Sequence, residues 1–181
     1  MDMDERFFMQ YLNDSPTSRS NLMLVFERMC KDGTLERTFY DGTVRTREEF
    51  EADVLRVGSL PFLVFWEGEL AGFTWYNTLE GRAARGHYVL FRPAWGRRTS
   101  AIIGRCIYEH VLTLRDGQGY LFDVILGLVA KSNALAWKLP LLCGAFVVGE
   151  IPHGAYMAKD GKSETAVLVA VTRESMGMGE N

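Results

Sequence analysis

The fold is decided by the stretch RGHYVLFRPAWGRRTSA at residues 85–101. Its apolar run from His87 to Phe91 predicts a β-strand. The turn Arg92-Pro93-Ala94-Trp95 follows, and the segment from Gly96 to Ala101 then leads into a long amphipathic helix. The sequence therefore predicts a strand, a loop and a helix N-terminus in direct succession.

A second pattern lies downstream of this stretch. The segment from Leu121 to Val129 is almost continuously apolar, which predicts a buried central strand with parallel neighbours. Asn133 follows that strand, Ala136 lies three residues beyond the asparagine, and Gly144 lies eleven residues beyond it. Together with the first stretch, this order and spacing resembles the GNAT acyl-CoA N-acyltransferase superfamily over roughly residues 62–171.

The resemblance implies an α/β fold of the GNAT type, with a strongly twisted, mixed sheet of six or seven strands flanked by about four helices. Residues 1–181 are predicted to form a single domain whose tail, from about residue 174, is mobile. The local patterns agree with an α/β fold. They predict helices after Ser15-Pro16 and at a Thr46-Arg47-Glu48-Glu49 capping box, and strands at 34–40, 62–66, 70–79, 86–91, 146–151 and 165–171.

Composition narrows the function classes. The chain is 48% hydrophobic and 24% charged, which is ordinary for a soluble globular protein, and its net charge of −3 gives no general attraction to nucleic acid. No apolar run approaches the roughly 18 residues of a membrane span, and the N-terminal residues 1–5 are acidic. We expect a cytoplasmic protein that binds neither nucleic acid nor membrane.

Cysteine and histidine residues are few and scattered along the chain. The three cysteines are far apart and form no pair of metal-ligand spacing, and the three histidines are likewise separated in sequence. The sequence therefore predicts reduced, mostly buried thiols and no metal site.

The loop before the long helix is the candidate anion site. A helix N-terminus presents four N–H groups without intrahelical partners, so the segment from Arg97 to Ala101 is suited to a pyrophosphate. Four guanidinium groups lie near this turn in sequence, those of Arg92, Arg97, Arg98 and Arg105. The alternative is a solvated basic loop. The resemblance implies a coenzyme A site formed by Phe91, Arg92, Gly96, Arg97, Arg98, Thr99, Ser100, Ala101 and Asn133.

This loop departs from the family pattern. Family loops carry a basic or Gln residue followed by two glycines spaced two apart, whereas the best alignment here places Arg97 and Thr99 at the glycine positions. Their Cβ atoms are expected to restrict φ and to crowd a diphosphate. Asn133 also has two interpretations, which are compatible with each other. The resemblance implies that it hydrogen-bonds the pantetheine arm, and the alternative is that Ser132 or Asn133 caps the next helix.

The proton-transfer groups of the family are missing from their usual positions. Family members often carry a Tyr general acid seven residues after the Asn, but position 140 is proline, which we expect to end the helix at about Leu139. His87, with a suitable unperturbed pKa, and Tyr88 are the candidate base and acid, and Glu80 is a weaker candidate. A histidine beside aromatic residues in a strand is more often structural.

Aromatic residues are dense in the hairpin that precedes this region. We expect most of them to be core residues and one or two to line an acceptor pocket. The five residues are Phe65, Trp66, Phe73, Trp75 and Tyr76.

The resemblance implies acetyl transfer from acetyl-CoA to a primary amine by direct attack, with backbone N–H groups near Phe91 polarising the carbonyl. The alternative is a catalytically silent binding or assembly protein of the same fold, a kind found among phage-encoded sequences. Nucleic-acid binding through the arginines is a weaker third hypothesis, because the basic cluster is short and the chain is acidic. The acceptor and the oligomeric state stay open, with a homodimer as one option.

Overall fold

The computed structural model describes residues 4–179. Its strands are β1 (Phe7–Tyr11), β2 (Leu60–Trp66), β3 (Glu69–Glu80), β4 (Ala83–Leu90), β5 (Arg115–Asp116), β6 (Gly119–Tyr120), β7 (Val124–Ala130), β8 (Phe146–Met157) and β9 (Lys162–Thr172). Its α-helices are α1 (Pro16–Asp32), α2 (Leu35–Thr38), α3 (Arg47–Val54), α4 (Arg97–Leu112) and α5 (Ala134–Leu142), and a 3₁₀ turn spans Arg92–Ala94.

Seven of these strands form one mixed sheet in the order β1-β2-β3-β4-β7-β9-β8. Only the β4–β7 pair is parallel, and the other neighbours are antiparallel. The predicted α/β fold with a mixed sheet of six or seven strands is confirmed. The central strand β7 has one parallel neighbour and one antiparallel neighbour, β9, so the expectation of parallel neighbours is correct on one side only.

The predicted helix starts are confirmed. Ser15 caps α1, with Pro16 in its first position, and the helix ends at Gly33 with φ of 67°. The capping box is also present, because the Thr46 side chain accepts from the Glu49 N–H (3.2 Å) while the Glu49 carboxylate accepts from the Thr46 N–H (3.0 Å).

The strand predicted at 34–40 is wrong, because this segment forms the short helix α2. Its last apolar side chain, Phe39, is buried against Phe50 and Trp75, at ring-centroid distances of 6.0 and 5.6 Å. Packing onto the sheet therefore overrides the local β propensity of the segment. Strand β1 and the small β5–β6 hairpin are not predicted by the sequence pattern.

Most of the hairpin aromatics belong to the core, as predicted. Phe73 and Trp75 are buried on the sheet face covered by α1 and α3, whereas Trp66 and Tyr76 are buried on the face covered by α4. Phe65 is only partly buried and packs against the buried group that contains Phe73 and Trp75.

The tail for which mobility was predicted folds back onto α4 and the start of β8. Met176 is only 3% exposed, and its carbonyl accepts from Arg105 Nη2 (3.0 Å). Met176 packs against Gly144. Glycine is required at position 144, because its φ is +105° and a Cβ atom there would lie 2.5 Å from Met176 Sδ.

No helix within residues 4–179 combines the length and the hydropathy needed to span a membrane.

Candidate active site

The parallel strands β4 and β7 pair over only three positions and then separate. The last paired residues are Arg85 and Leu126, although β4 continues to Leu90 and β7 to Ala130. The strand that precedes Asn133 therefore separates from its parallel neighbour over the rest of its length. It leaves a gap in the middle of an otherwise continuous sheet.

A cavity of about 1000 Å³ passes through this gap. It is lined along β4 from Arg85 to Leu90, and its two ends differ in character. One end, which we call the helix end, is formed by Trp95, Gly96, Arg97 and Ser100. The other, which we call the charged end, is formed by Tyr40, Asp41, Asp53, Arg56 and Arg85.

The helix end presents an uncapped helix N-terminus. The first intrahelical hydrogen bond of α4 runs from the Ser100 N–H to the Gly96 carbonyl (2.8 Å), so the three preceding N–H groups point beyond the helix. Gly96 provides no side-chain cap and has φ of 121° and ψ of 132°, a conformation that is essentially restricted to glycine. These N–H groups, together with the helix dipole, favour an anion.

The four arginines predicted near this turn do not converge. Of Arg92, Arg97, Arg98 and Arg105, only Arg97 lines the cavity. Arg92 lies against the buried carboxylate of Asp32 (Nε to Oδ1, 3.1 Å), and Arg105 donates to Glu109 (2.9 Å). Acidic partners from α1 and α4 hold Arg92 and Arg105, so of the four arginines only Arg97 is placed to contact a diphosphate in the cavity.

The glycine-poor loop is less crowded than its sequence indicates. Arg98 and Thr99 line a separate, smaller pocket beside Arg6 and Trp66. Of the two residues at family glycine positions, only Arg97 therefore borders the large cavity, and it adds a guanidinium group there. Ala101 contributes its carbonyl to a contact with Cys143 Sγ (3.5 Å) rather than to the cavity lining.

Asn133 lines the middle of the cavity. It occupies the N-cap position of α5, but its side chain makes no capping hydrogen bond, and its Nδ2 donates to the Arg37 carbonyl (3.4 Å). The capping alternative is therefore not observed, for Ser132 or for Asn133, and the position facing the cavity stays available for a ligand.

Tyr88 also reaches the cavity, and Pro140 determines its hydrogen bond. Helix α5 continues through Pro140 to Leu142, so the predicted break at Leu139 is wrong. Proline at 140 cannot donate to the carbonyl four residues earlier, that of Ala136. The Tyr88 hydroxyl donates to this carbonyl instead (2.7 Å), and burial raises the pKa of the phenol well above its ordinary value.

His87 is held between aromatic and amide groups. Its ring stacks on Trp75 (4.7 Å between centroids, 9° between planes), and its Nε2 lies 3.2 Å from Asn77 Oδ1. Burial, followed by the positive charges of Arg85 and Arg56, lowers its pKa to about 3. At neutral pH His87 is therefore an uncharged residue of the cavity wall, and its role as a base stays a prediction. Glu80 is exposed at the far end of β3 and is not a lining residue.

The backbone of β4 supplies donors, although Phe91 does not. The Phe91 N–H donates to the Ala71 carbonyl (2.8 Å) and its side chain is buried, so it is a core residue. Peptide groups alternate in direction along a strand, and those of Tyr88 and Leu90 therefore point toward the gap left by β7. Consistently, the Leu90 carbonyl accepts from Trp95 Nε1 on that side (2.9 Å).

The charged end was missed by sequence analysis. Its residues come from the segment before α3, from α3, from the turn after α3 and from β4, and no spacing in the sequence connects them. Asp53 and Arg56 form an ion pair (3.6 Å), and burial raises the pKa of Asp53. Trp75 and Tyr76 also line the cavity, so two of the five hairpin aromatics reach a pocket.

Solved structures with the same architecture are numerous. A Salmonella typhimurium acetyltransferase that modifies the N-terminal serine of ribosomal protein L7/L12 is 14% identical, with a TM-score of 0.71 over 94% of this chain and 97% of that one. The spermidine N-acetyltransferase of Vibrio cholerae, in complex with CoA and spermine, is 12% identical, with a TM-score of 0.72 over 96% and 99%. This chain has the GNAT fold.

A third GNAT-fold structure, the microcin C7 self-immunity acetyltransferase MccE with acetyl-CoA and AMP, is 12% identical, with a TM-score of 0.67 over 94% of both chains. No family model matches this sequence, and no curated protein matches it either. Within the GNAT fold, the three acceptors or ligands named for these proteins are chemically unlike one another, so the fold alone does not identify an acceptor here.

Proposed function

We propose that this protein is an acetyl-CoA-dependent N-acetyltransferase that acetylates a primary amine. One observation carries the proposal: a cavity runs through the gap between β4 and β7 and ends at an uncapped helix N-terminus. A donor whose long, thin pantetheine arm leads to an anionic diphosphate fits this combination. The GNAT-fold proteins solved with CoA or acetyl-CoA support the same ligand class.

The chain offers a contact for each part of such a donor. The N–H groups of the first turn of α4, with Arg97, would hold the diphosphate. Asn133 would hydrogen-bond the pantetheine arm in the gap. The backbone N–H groups of Tyr88 and Leu90 would polarise the thioester carbonyl, because they face the gap without a strand partner.

The reaction needs few side chains. The neutral amine nitrogen bonds to the carbonyl carbon as the C–S bond breaks, and the electron pair of that bond leaves with sulfur. The acylated nitrogen then loses one proton and the thiolate takes one up, through solvent, so the products are the N-acetyl amide and free CoA thiol. Bound donor supplies a reactive thioester and a good leaving group. The residues of β4 and α5 fix the direction of attack and exclude water, and orientation of this kind supplies much of the rate acceleration in two-substrate reactions.

The arginines provide a matched test. Arg97 lines the cavity and its neighbour Arg98 lines the separate pocket. We expect calorimetric titration to give an acetyl-CoA Kd that rises about tenfold or more in Arg97→Ala, which corresponds to about 1.4 kcal/mol and the loss of one charge-assisted contact. Arg98→Ala should stay within about twofold of the wild type. Absence of binding to the wild type at millimolar acetyl-CoA would refute the proposal.

A second candidate function is a catalytically silent binding protein of the same fold. It is favoured by the state of the two predicted proton-transfer groups, because His87 is neutral with a low pKa and the Tyr88 hydroxyl is bonded to Ala136. Acetyl-CoA binding without thiol release in the presence of any amine would favour this candidate. Thiol release that depends on an amine would exclude it.

A further inference from the structure

The charged end of the cavity contains an arginine without a partner. Arg85 is half-buried on β4, lines the cavity, and makes no salt bridge or side-chain hydrogen bond within residues 4–179. Other charged groups at this end are matched. Arg56 is paired with Asp53, and Asp41 accepts from the N–H (3.2 Å) and hydroxyl (2.8 Å) of Thr43.

A second donor beside Arg85 also lacks a partner. Trp75 is 1% exposed, lines the cavity, and its Nε1–H has no hydrogen-bond partner within the described part of the chain. In the β3–β4 register Trp75 lies opposite His87, and Arg85 lies opposite Asn77, so Trp75 and Arg85 are diagonal neighbours on one face of the sheet. Diagonal neighbours are about 7–8 Å apart, within reach of long side chains.

Two unpartnered donors on one wall are suited to an acceptor atom of a bound ligand. A buried N–H without a partner, such as that of Trp75, costs about 1–3 kcal/mol, so an acceptor placed beside it is stabilising. A guanidinium group that forms no salt bridge within the protein is best matched by a planar oxyanion, because its fork can donate two parallel hydrogen bonds. The positive charge of Arg85 is also felt by its neighbours Tyr40, Asp53 and His87.

We propose that Arg85 determines acceptor specificity by binding a carboxylate on the acceptor, with the Trp75 indole N–H beside it. The acceptor class is then an amine that carries a carboxylate several bonds from the reacting nitrogen. This inference rests on the proposed function for the position of that nitrogen. Tyr88, beside which the amine would attack, is three residues from Arg85, which is about 10 Å along a strand.

Polyamines and simple alkylamines lack the required group. At the charged end, the half-buried Arg85 would repel a second ammonium and leave its own donors unsatisfied in the presence of an alkyl tail. The acceptor chemistry is therefore different from that of spermine, which is bound in the Vibrio cholerae structure.

The test uses two probes with the same number of carbon atoms, 6-aminohexanoate and n-hexylamine, with 1,5-diaminopentane as the dicationic probe. We expect kcat/KM for 6-aminohexanoate to exceed that for n-hexylamine at least tenfold, equivalent to about 1.4 kcal/mol, with 1,5-diaminopentane the poorest. In Arg85→Gln the ratio should fall below about threefold. Arg85→Lys should keep part of it, because the charge remains and the fork is lost.

Arg82→Gln is the control, because Arg82 lies just before the same strand, does not line the cavity, and donates to the Gln118 carbonyl (3.2 Å). It should leave the ratio unchanged. A wild-type enzyme that prefers n-hexylamine or 1,5-diaminopentane, or a ratio that survives Arg85→Gln, would overturn the inference.

Calorimetry separates this inference from the proposed function. Both probes are titrated into the protein with saturating CoA and into the protein alone. Binding of 6-aminohexanoate that depends on Arg85, without any acetyl transfer, supports the carboxylate site and refutes the transferase activity. Acetylation of both probes at equal efficiency supports the transferase activity and refutes the carboxylate site. Neither binding nor transfer refutes both.

Discussion

The two ends of the cavity are built from different parts of the polypeptide. The helix end uses backbone groups of one contiguous segment, with Gly96 setting the geometry and Arg97 adding one charge. The charged end uses side chains from the segment between α2 and α3, from α3, from the turn after α3 and from β4, which are brought together only by folding. A site made of backbone depends on local conformation, whereas a site made of buried side chains depends on desolvation and pairing.

Acid should lower the stability of the protein mainly through His87, which lies beside Arg85 of the charged end. The pKa of His87 is lowered from about 6.5 to about 3 by burial, so the unfolded chain binds one more proton than the folded chain between these values. Stability is therefore lost as pH falls from about 6.5 toward 3, by at most about 1.4 kcal/mol per pH unit from this group. In urea unfolding at pH 6.5, 5.5 and 4.5, His87→Phe should lose less stability with acid than the wild type.

The control for this experiment is His153→Gln, which removes an exposed histidine on the edge strand β8. Its acid dependence should match that of the wild type. If His87→Phe keeps the full wild-type slope, the imidazole is not desolvated, and the contrast between the two ends is weaker than the structure indicates.

Backbone geometry should decide the helix end. Gly96→Ala places a Cβ atom on a residue with φ of 121° and ψ of 132°, a strain of about 1–3 kcal/mol that the loop can relieve only by moving the first turn of α4. We expect acetyl-CoA affinity to fall about tenfold or more by calorimetry. The matched variant Gly68→Ala, in the β2–β3 turn at φ of 81°, should lose stability and keep the affinity. Equal affinities would show that the helix N-terminus does not hold the donor.

The same distinction explains what could be predicted from the sequence. The helix end was predicted because strand, turn and helix follow one another in the chain, and periodicity reports such local order. The destination of each arginine could not be predicted, since Arg92 is held by Asp32 from another helix. The charged end could not be predicted either, because Arg85 and Asp53 are far apart in sequence and only the β3–β4 register and the packing of α3 bring them to one cavity.

Between the two ends, the Tyr88 hydroxyl takes the place of a missing backbone N–H at position 140. Its removal should have a smaller effect than the His87 and Gly96 substitutions. The Ala136 carbonyl accepts from Tyr88 because Pro140 has no N–H to offer. Tyr88→Phe should therefore cost about 1 kcal/mol of stability in the wild type, the usual contribution of one hydrogen bond, and more if the carbonyl is left unsatisfied.

In a Pro140→Ala background the same change should cost less, because the substituted residue has a backbone N–H that can donate to that carbonyl. A double-mutant cycle measured by urea unfolding gives this difference as a coupling energy of about 0.5–1 kcal/mol. A coupling near zero would mean that the Tyr88 hydroxyl does not replace the missing N–H. The phenol would then be free to turn toward the thioester sulfur, and Tyr88 would again be a candidate for the general acid.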